Sequence, residues 1–172
     1  MSAPVSLLRR AVALLAALAV ALGVGAASAA AATPQRVVAL TPFTANTLAT
    51  LGIKPVAVGQ TVGGNHLYMR ALRNVKRLPL SHPLGPNLEQ LAVLNPQLVL
   101  SAPVWRKGNQ AMKELGIRVV ESDPQRVAEV PQQMELIGRV VGKAAQAKRA
   151  ADLQRRNIAY ARKQAKRHPR VL

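Results

Sequence analysis

Four short apolar runs constrain the fold of this chain more than anything else in it: Arg36–Leu40 (RVVAL), Lys54–Val58 (KPVAV), Leu98–Ser101 (LVLS) and Ile117–Val120 (IRVV). Each is too short for a stable helix and lacks the alternation of a half-buried strand, so each reads as a strand covered on both faces. Helical segments lie between them. Thr44 is placed to cap a helix running through Leu48 and Leu51, and Asn87 to cap another through Leu91 and Leu94. Leu51-Gly52-Ile53 and Leu115-Gly116-Ile117 each put glycine where a left-handed residue stops a helix, and each leads directly into a strand run. Alternation of this kind predicts an α/β fold, a parallel sheet with flanking helices. Right-handed crossovers then bring every loop that follows a strand to one edge of the sheet, where α/β folds bind ligands.

After Val120 the pattern becomes helical. Val127, Val130, Met134, Ile137 and Val141 form an apolar stripe suited to lying on the sheet, with Pro131 tolerable only in the first turn. Gly142 marks a break. From Lys143 to His168 there is no Pro or Gly, and Ala147, Ala151, Ile158, Ala161 and Ala165 keep a narrow helical stripe that suits a helix laid across a surface. His168-Pro169 is expected to end that helix, and Arg170-Val171-Leu172 reads as the first residues of a further strand in a truncated sequence.

The amino terminus has a different character. Arg9 and Arg10 precede an unbroken apolar stretch of 14 residues, Ala11–Val24, and Ala27-Ser28-Ala29 offers the small residues that a signal peptidase requires. Crossing about 30 Å of hydrocarbon takes roughly 20 residues, so the stretch is read as a secretory signal and not as an anchor. The expected organisation is a signal peptide over residues 1–29, an α/β lobe over 30–142, a long basic helix over 143–169 and the start of a second lobe at 170–172. A periplasmic or secreted protein follows. With no Cys in the chain there is no disulfide, thiolate metal site or lipid-modified cysteine.

Taken together these segments resemble the class III periplasmic substrate-binding proteins of ABC importers, which carry ferric siderophores, haem and cobalamin. The resemblance rests on RVVALTPFTANTLATLGIKPVAVG, on GPNLEQLAVLNPQLVLS, on KELGIRVVESD and on the long helix leading to HPRVL, and it runs from about Arg36 to Leu172. Its most specific part is Asn87 to Ser101. The resemblance implies the first of two lobes, a rigid connecting helix, and a ligand held in the cleft between lobes. It implies an ABC permease as partner and a small-molecule ligand, a ferric siderophore, haem or a cobalamin. Glu89 matches the lobe-surface glutamate with which the family docks on permease arginines. By its place near the helix start, Glu89 also interacts favourably with the helix dipole.

Aromatic residues are scarce, 2% of the chain, yet three of the four fall in loops after strands: Phe43, Tyr68 and Trp105. Buried aromatics would give a small core its largest apolar areas, so placing them at strand ends suggests a ligand surface. Trp105 is followed by Arg106 and Lys107, a pairing that suits a flat anionic ligand by stacking and charge. His66 and His82 lie in loops expected on the same side, and His66 and Tyr68 are the side chains that could meet iron directly. The expected ligand-binding set is Phe43, His66, Tyr68, His82, Trp105 and Arg106. For Phe43 the alternative is that it covers the end of the sheet, and for the histidines that they are solvated.

Signs of catalysis are missing from the sequence. No serine sits in a nucleophile-elbow pattern, Val62-Gly63-Gly64-Asn65 lacks the full glycine pattern of a dinucleotide loop, and no carboxylates and histidines have metal-ligand spacing. Neither an enzyme nor a resident cofactor is expected, and the protein is expected to be a monomer. The net charge of +17 is concentrated at the end, where residues 143–172 carry ten Lys and Arg against Asp152 alone. That invites a rival reading, a secreted cationic helix for anionic polymers or membrane surfaces. The cations surround the helix without forming one stripe, and Tyr160 is the single interleaved aromatic, so nucleic acid is not an expected partner.

Overall fold

A computed structural model describes residues 33–60 and 67–167. The four apolar runs become β1 (Val37–Ala39), β2 (Ala57–Gly59), β6 (Leu98–Ser101) and β7 (Val119–Glu121). A fifth strand, β3 (Lys76–Leu78), joins them in one sheet of order β3-β2-β1-β6-β7, and every pairing is parallel. β3 escaped the sequence reading because its Lys76 and Arg77 mask a buried Leu78. It is an edge strand, and charge on an edge discourages pairing with another chain.

Side chains of successive strand residues enter opposite layers. Val37, Ala39, Val58, Leu98 and Leu100 pack beneath α1 (Pro42–Thr50), α4 (Val130–Val140) and the start of α5 (Ala144–Arg167), with Leu48, Ile137 and Ala147 fully buried. Val38, Leu40, Ala57, Leu78 and Val99 pack on the other face beneath α2 (Leu88–Val93) and α3 (Arg106–Glu114), against Leu91 and Met112. Both faces are dry, which explains runs without polar alternation.

The helix boundaries refine the sequence reading at one point. The cap of α1 is Thr41, not Thr44: Thr41 has extended backbone, its Oγ1 accepts from the Thr44 amide at 3.1 Å, and Pro42 takes the first helical position. Thr44 completes a reciprocal capping box, its hydroxyl accepting from the Thr41 amide. Asn87 caps α2 as expected, accepting from the Gln90 amide at 2.9 Å. Gly52 and Gly116 hold φ of 75° and 76° at the ends of α1 and α3, the left-handed stops expected of them. Pro131 lies in the first turn of α4. α5 crosses α4 and, among its described side chains, is fully buried only at Ala147 and Ala151, while Ala161 and Ala165 are exposed. The expected signal peptide, His66, residues 62–65, the helix stop expected at His168-Pro169 and residues 170–172 lie outside the described residues.

Candidate functional site

Because all five sheet strands run the same way, the segments after β1, β2, β3, β6 and β7 leave from one edge. β6 ends in the buried Ser101, whose hydroxyl hydrogen bonds the Asn109 side-chain oxygen at 2.6 Å. The Asn109 amide in turn donates to the Ala102 carbonyl at 3.0 Å, and Ala102 also accepts from the Trp105 amide. This buried bracket ties the end of the strand to α3 and fixes the single turn, Pro103–Trp105, between them.

Trp105 is half-buried and leans on Gly85, where an added Cβ would meet its Cβ and Cγ at 3.3 Å. Its side chain is partly covered by a hairpin that the sequence did not announce. That hairpin is β4 (Leu80–Ser81) and β5 (Gly85–Pro86), with the exposed His82 in its turn. Its other anchor is Gly108 on α3, where a Cβ would stand 1.7 Å from the Leu84 carbonyl oxygen. Glycine at 108 is therefore a condition of the hairpin lying on α3. Arg106 and Lys107, the first residues of α3, are exposed.

The remaining expected residues divide. Phe43, in the first turn of α1, is half-buried against the core, consistent with covering the sheet end. Tyr68 is a correction: it is buried among Leu72, Val75 and Val58, and its hydroxyl donates to the Gly59 carbonyl. Arg77 stacks on its ring at 4.3 Å from the centroid. Burial raises the phenol above its ordinary range and the Arg77 charge offsets part of that. A loop position after a strand had suggested exposure, but this loop turns back under α1, where Asn46 donates to the Leu67 carbonyl and accepts from the Met69 amide. The structure thus brings together Trp105, Arg106 and the His82 hairpin, and separates Tyr68 from them.

Glu89 is exposed in the first turn of α2, on the rim of an open groove of about 510 Å³ between the hairpin and α3. Asn109, Gly85 and Gly108, which position these side chains, were not foreseen. The sequence signal was faint: a serine closing an apolar strand and isolated glycines. Among the described residues no cluster of three or more His, Cys, Asp or Glu could hold a metal ion, and no helix is long and apolar enough to cross a membrane.

The model of the periplasmic binding protein family matches residues 37–171. The chain belongs to that family. Among solved structures it is similar to the periplasmic vitamin B12 binding protein BtuF of Vibrio cholerae, at 19% identity and TM-score 0.64, covering 77% of this chain and 51% of that one. It is likewise similar to Staphylococcus aureus IsdE complexed with heme, at 20% identity and TM-score 0.64 over 78% and 51% of the two chains. A possible iron-binding protein of Staphylococcus epidermidis follows at 23% identity and TM-score 0.60, over 74% and 50%. At these identities the likeness shows the fold, a single periplasmic binding protein lobe with its long helix. The chain spans about half the length of those proteins. No curated protein sequence matches it. The family is one of binding proteins, not enzymes, and nothing in it supports reading α5 as a polymer-binding helix.

Proposed function

We propose that this chain is the amino-terminal lobe of an extracytoplasmic solute-binding protein that delivers an iron chelate, haem or a corrinoid to an ABC permease. On this reading residues 1–29 are a cleaved signal, 30–142 the lobe, 143–169 the connecting helix, and 170–172 the entry to a second lobe that closes the cleft. One observation carries the ligand half of the proposal: Trp105 and Arg106 stand at the ligand edge of a parallel sheet on a buried Ser101–Asn109–Ala102 bracket. A backbone turn fixed in this way presents its side chains without first having to be ordered. The charge of the edge supports an anionic ligand: the segments after β1, β2, β3 and β6 contain no Asp or Glu, the segment after β7 carries Asp123 and Arg126, and Arg106 and Lys107 follow Trp105. The anionic ferric chelates and haem are favoured over a corrinoid for that reason. His82 and Phe43 border the same edge.

Trp105 is the only tryptophan, so it reports its own site. Titration of a protein carrying both lobes with a ferric hydroxycarboxylate chelate, haem and cyanocobalamin is expected to quench its emission with the first two at the lower concentrations. Quenching by none of them, or by cyanocobalamin alone, would sink the anionic reading.

A further inference from the structure

We propose that this lobe selects amphiphilic anions, whose flat apolar body lies in the crevice where β1 and β6 end and whose carboxylate reaches the cations at the start of α3. The inference deepens the solute-binding reading and rests on it in treating the strand-exit edge as the ligand's.

Sheet order places the crevice. From β1 the chain proceeds outward through β2 to β3, and from β6 it proceeds the other way to β7, so the order reverses between β1 and β6. These two strands pair directly, with Ala39 opposite Leu100, and lie about 5 Å apart. The helices that follow them nonetheless leave to opposite faces, α1 to the side of Val37 and Leu48, α3 to the side of Val99 and Met112. Helices parting in this way from adjacent strands open a crevice at the carboxyl ends, where open α/β sheets take ligands.

Its walls are the two segments that make those exits. After β1 come Pro42 and Phe43, both half-buried, and after β6 come Pro103 and Val104, both exposed, Val104 by 48%. Neither proline has an N–H to offer. On the β1 side the Thr44 amide is taken by Thr41 Oγ1 at 3.1 Å and the Thr41 amide by the Thr44 hydroxyl at 3.3 Å. On the β6 side the Ala102 carbonyl already accepts from Asn109 and Trp105. A compact polyanion laid here gives up water without gaining equivalent partners, which is costly. An apolar ring system gains by leaving water. Beside Val104 the charge is positive, from the exposed Arg106 and Lys107. The edge therefore fits a ligand that is apolar over its body and carboxylate-bearing at one margin, and ranks it above hydroxycarboxylate chelates, whose charge covers the whole molecule.

The test is amide chemical-shift mapping on the 15N-labelled 172-residue chain with three soluble probes: naphthalene-2-carboxylate, naphthalene-2-carboxamide and citrate. The naphthoate is expected to shift Phe43 and Val104, with the carboxamide about fivefold weaker and citrate leaving both amides in place. Arg106→Gln should bring the naphthoate down to the carboxamide, and Val104→Ser should weaken both about threefold. Both substituted positions are exposed, so shifts confined to their neighbours report an intact fold. Equal binding of acid and carboxamide, citrate shifting the same amides as strongly as the naphthoate, or shifts centred away from the crevice would each overturn the proposal. If a protein with both lobes binds a ferric hydroxycarboxylate chelate while the naphthoate leaves Phe43 and Val104 in place, this inference alone falls. Naphthoate binding in the crevice, with no binding of chelate, haem or cyanocobalamin by the two-lobe protein, would uphold the amphiphile site while removing the importer reading.

Discussion

Gly138 of α4 faces Ala147 of α5 so closely that a Cβ added at 138 would lie 2.0 Å from the Ala147 Cβ. This one contact lets the long helix settle on the lobe. Both residues are buried, and on the lobe side Ile137 and Val141 flank the crossing. Beyond Ala151 the helix carries its weight of charge outward, with Arg155 bridging Glu135 at 2.8 Å and Asp152 at 2.7 Å.

Gly138→Ala is therefore expected to destabilise the protein. Alanine is the better helix former by about 1 kcal/mol, but separating two packed helices costs about 1–3 kcal/mol. Urea unfolding should show a lower midpoint, and adding Ala147→Gly should recover part of it. A midpoint that rises in Gly138→Ala would show that the crossing has slack.

Asn109→Ala leaves the buried Ser101 hydroxyl without its partner and removes one of two hydrogen bonds to the Ala102 carbonyl. The expected cost is about 1–3 kcal/mol. Because the bracket also fixes Trp105, emission from this single tryptophan should shift to longer wavelength in the folded variant. A stability loss with unchanged emission would confine Asn109 to the core.

Tyr68 makes stability fall at alkaline pH. Its folded pKa is raised, by burial above all, so the contribution is fully present below the unfolded value of about 10 and is lost as pH rises through the folded value. Between about pH 9 and about pH 11 the wild type is expected to lose more stability than Tyr68→Phe. Parallel losses in the two proteins would contradict the assignment.

Ligand binding and delivery are expected to separate by residue. In a protein with both lobes, replacing Trp105 and Arg106 by Ala should weaken chelate binding by about 1–3 kcal/mol. Glu89→Arg should leave that affinity alone and abolish uptake in cells. Transport at the wild-type rate by Glu89→Arg would refute docking through this residue.

Amide exchange along α5 should follow its burial. In the 172-residue chain, protection is expected through Ala151, where the helix is packed, and rapid exchange beyond about Arg155, where few apolar contacts remain. Uniform protection to Arg167 would mean that the outer helix has a partner.

The sequence by itself determined the layered α/β architecture. Unbroken Val-rich runs can be strands only if both faces are covered, and Leu-Gly-Ile stops leave no room for anything but short connections, so the parallel sheet followed from local chemistry. Asn87, Gly52 and Gly116 were legible for the same reason, since caps and left-handed stops are properties of a few neighbouring residues. Tertiary structure alone decided how deeply each strand-end aromatic is buried. Tyr68 and Trp105 look alike in sequence, each an aromatic in a loop after a strand. One hydrogen bonds the Gly59 carbonyl in the core and the other stands on a bracket at the surface, because the first loop folds back under α1 and the second is held by Asn109. The same holds for β3, where two charged residues concealed an edge strand, and for Gly85, Gly108 and Gly138. What those glycines permit is the close approach of separate elements, and no local pattern encodes a distance between them.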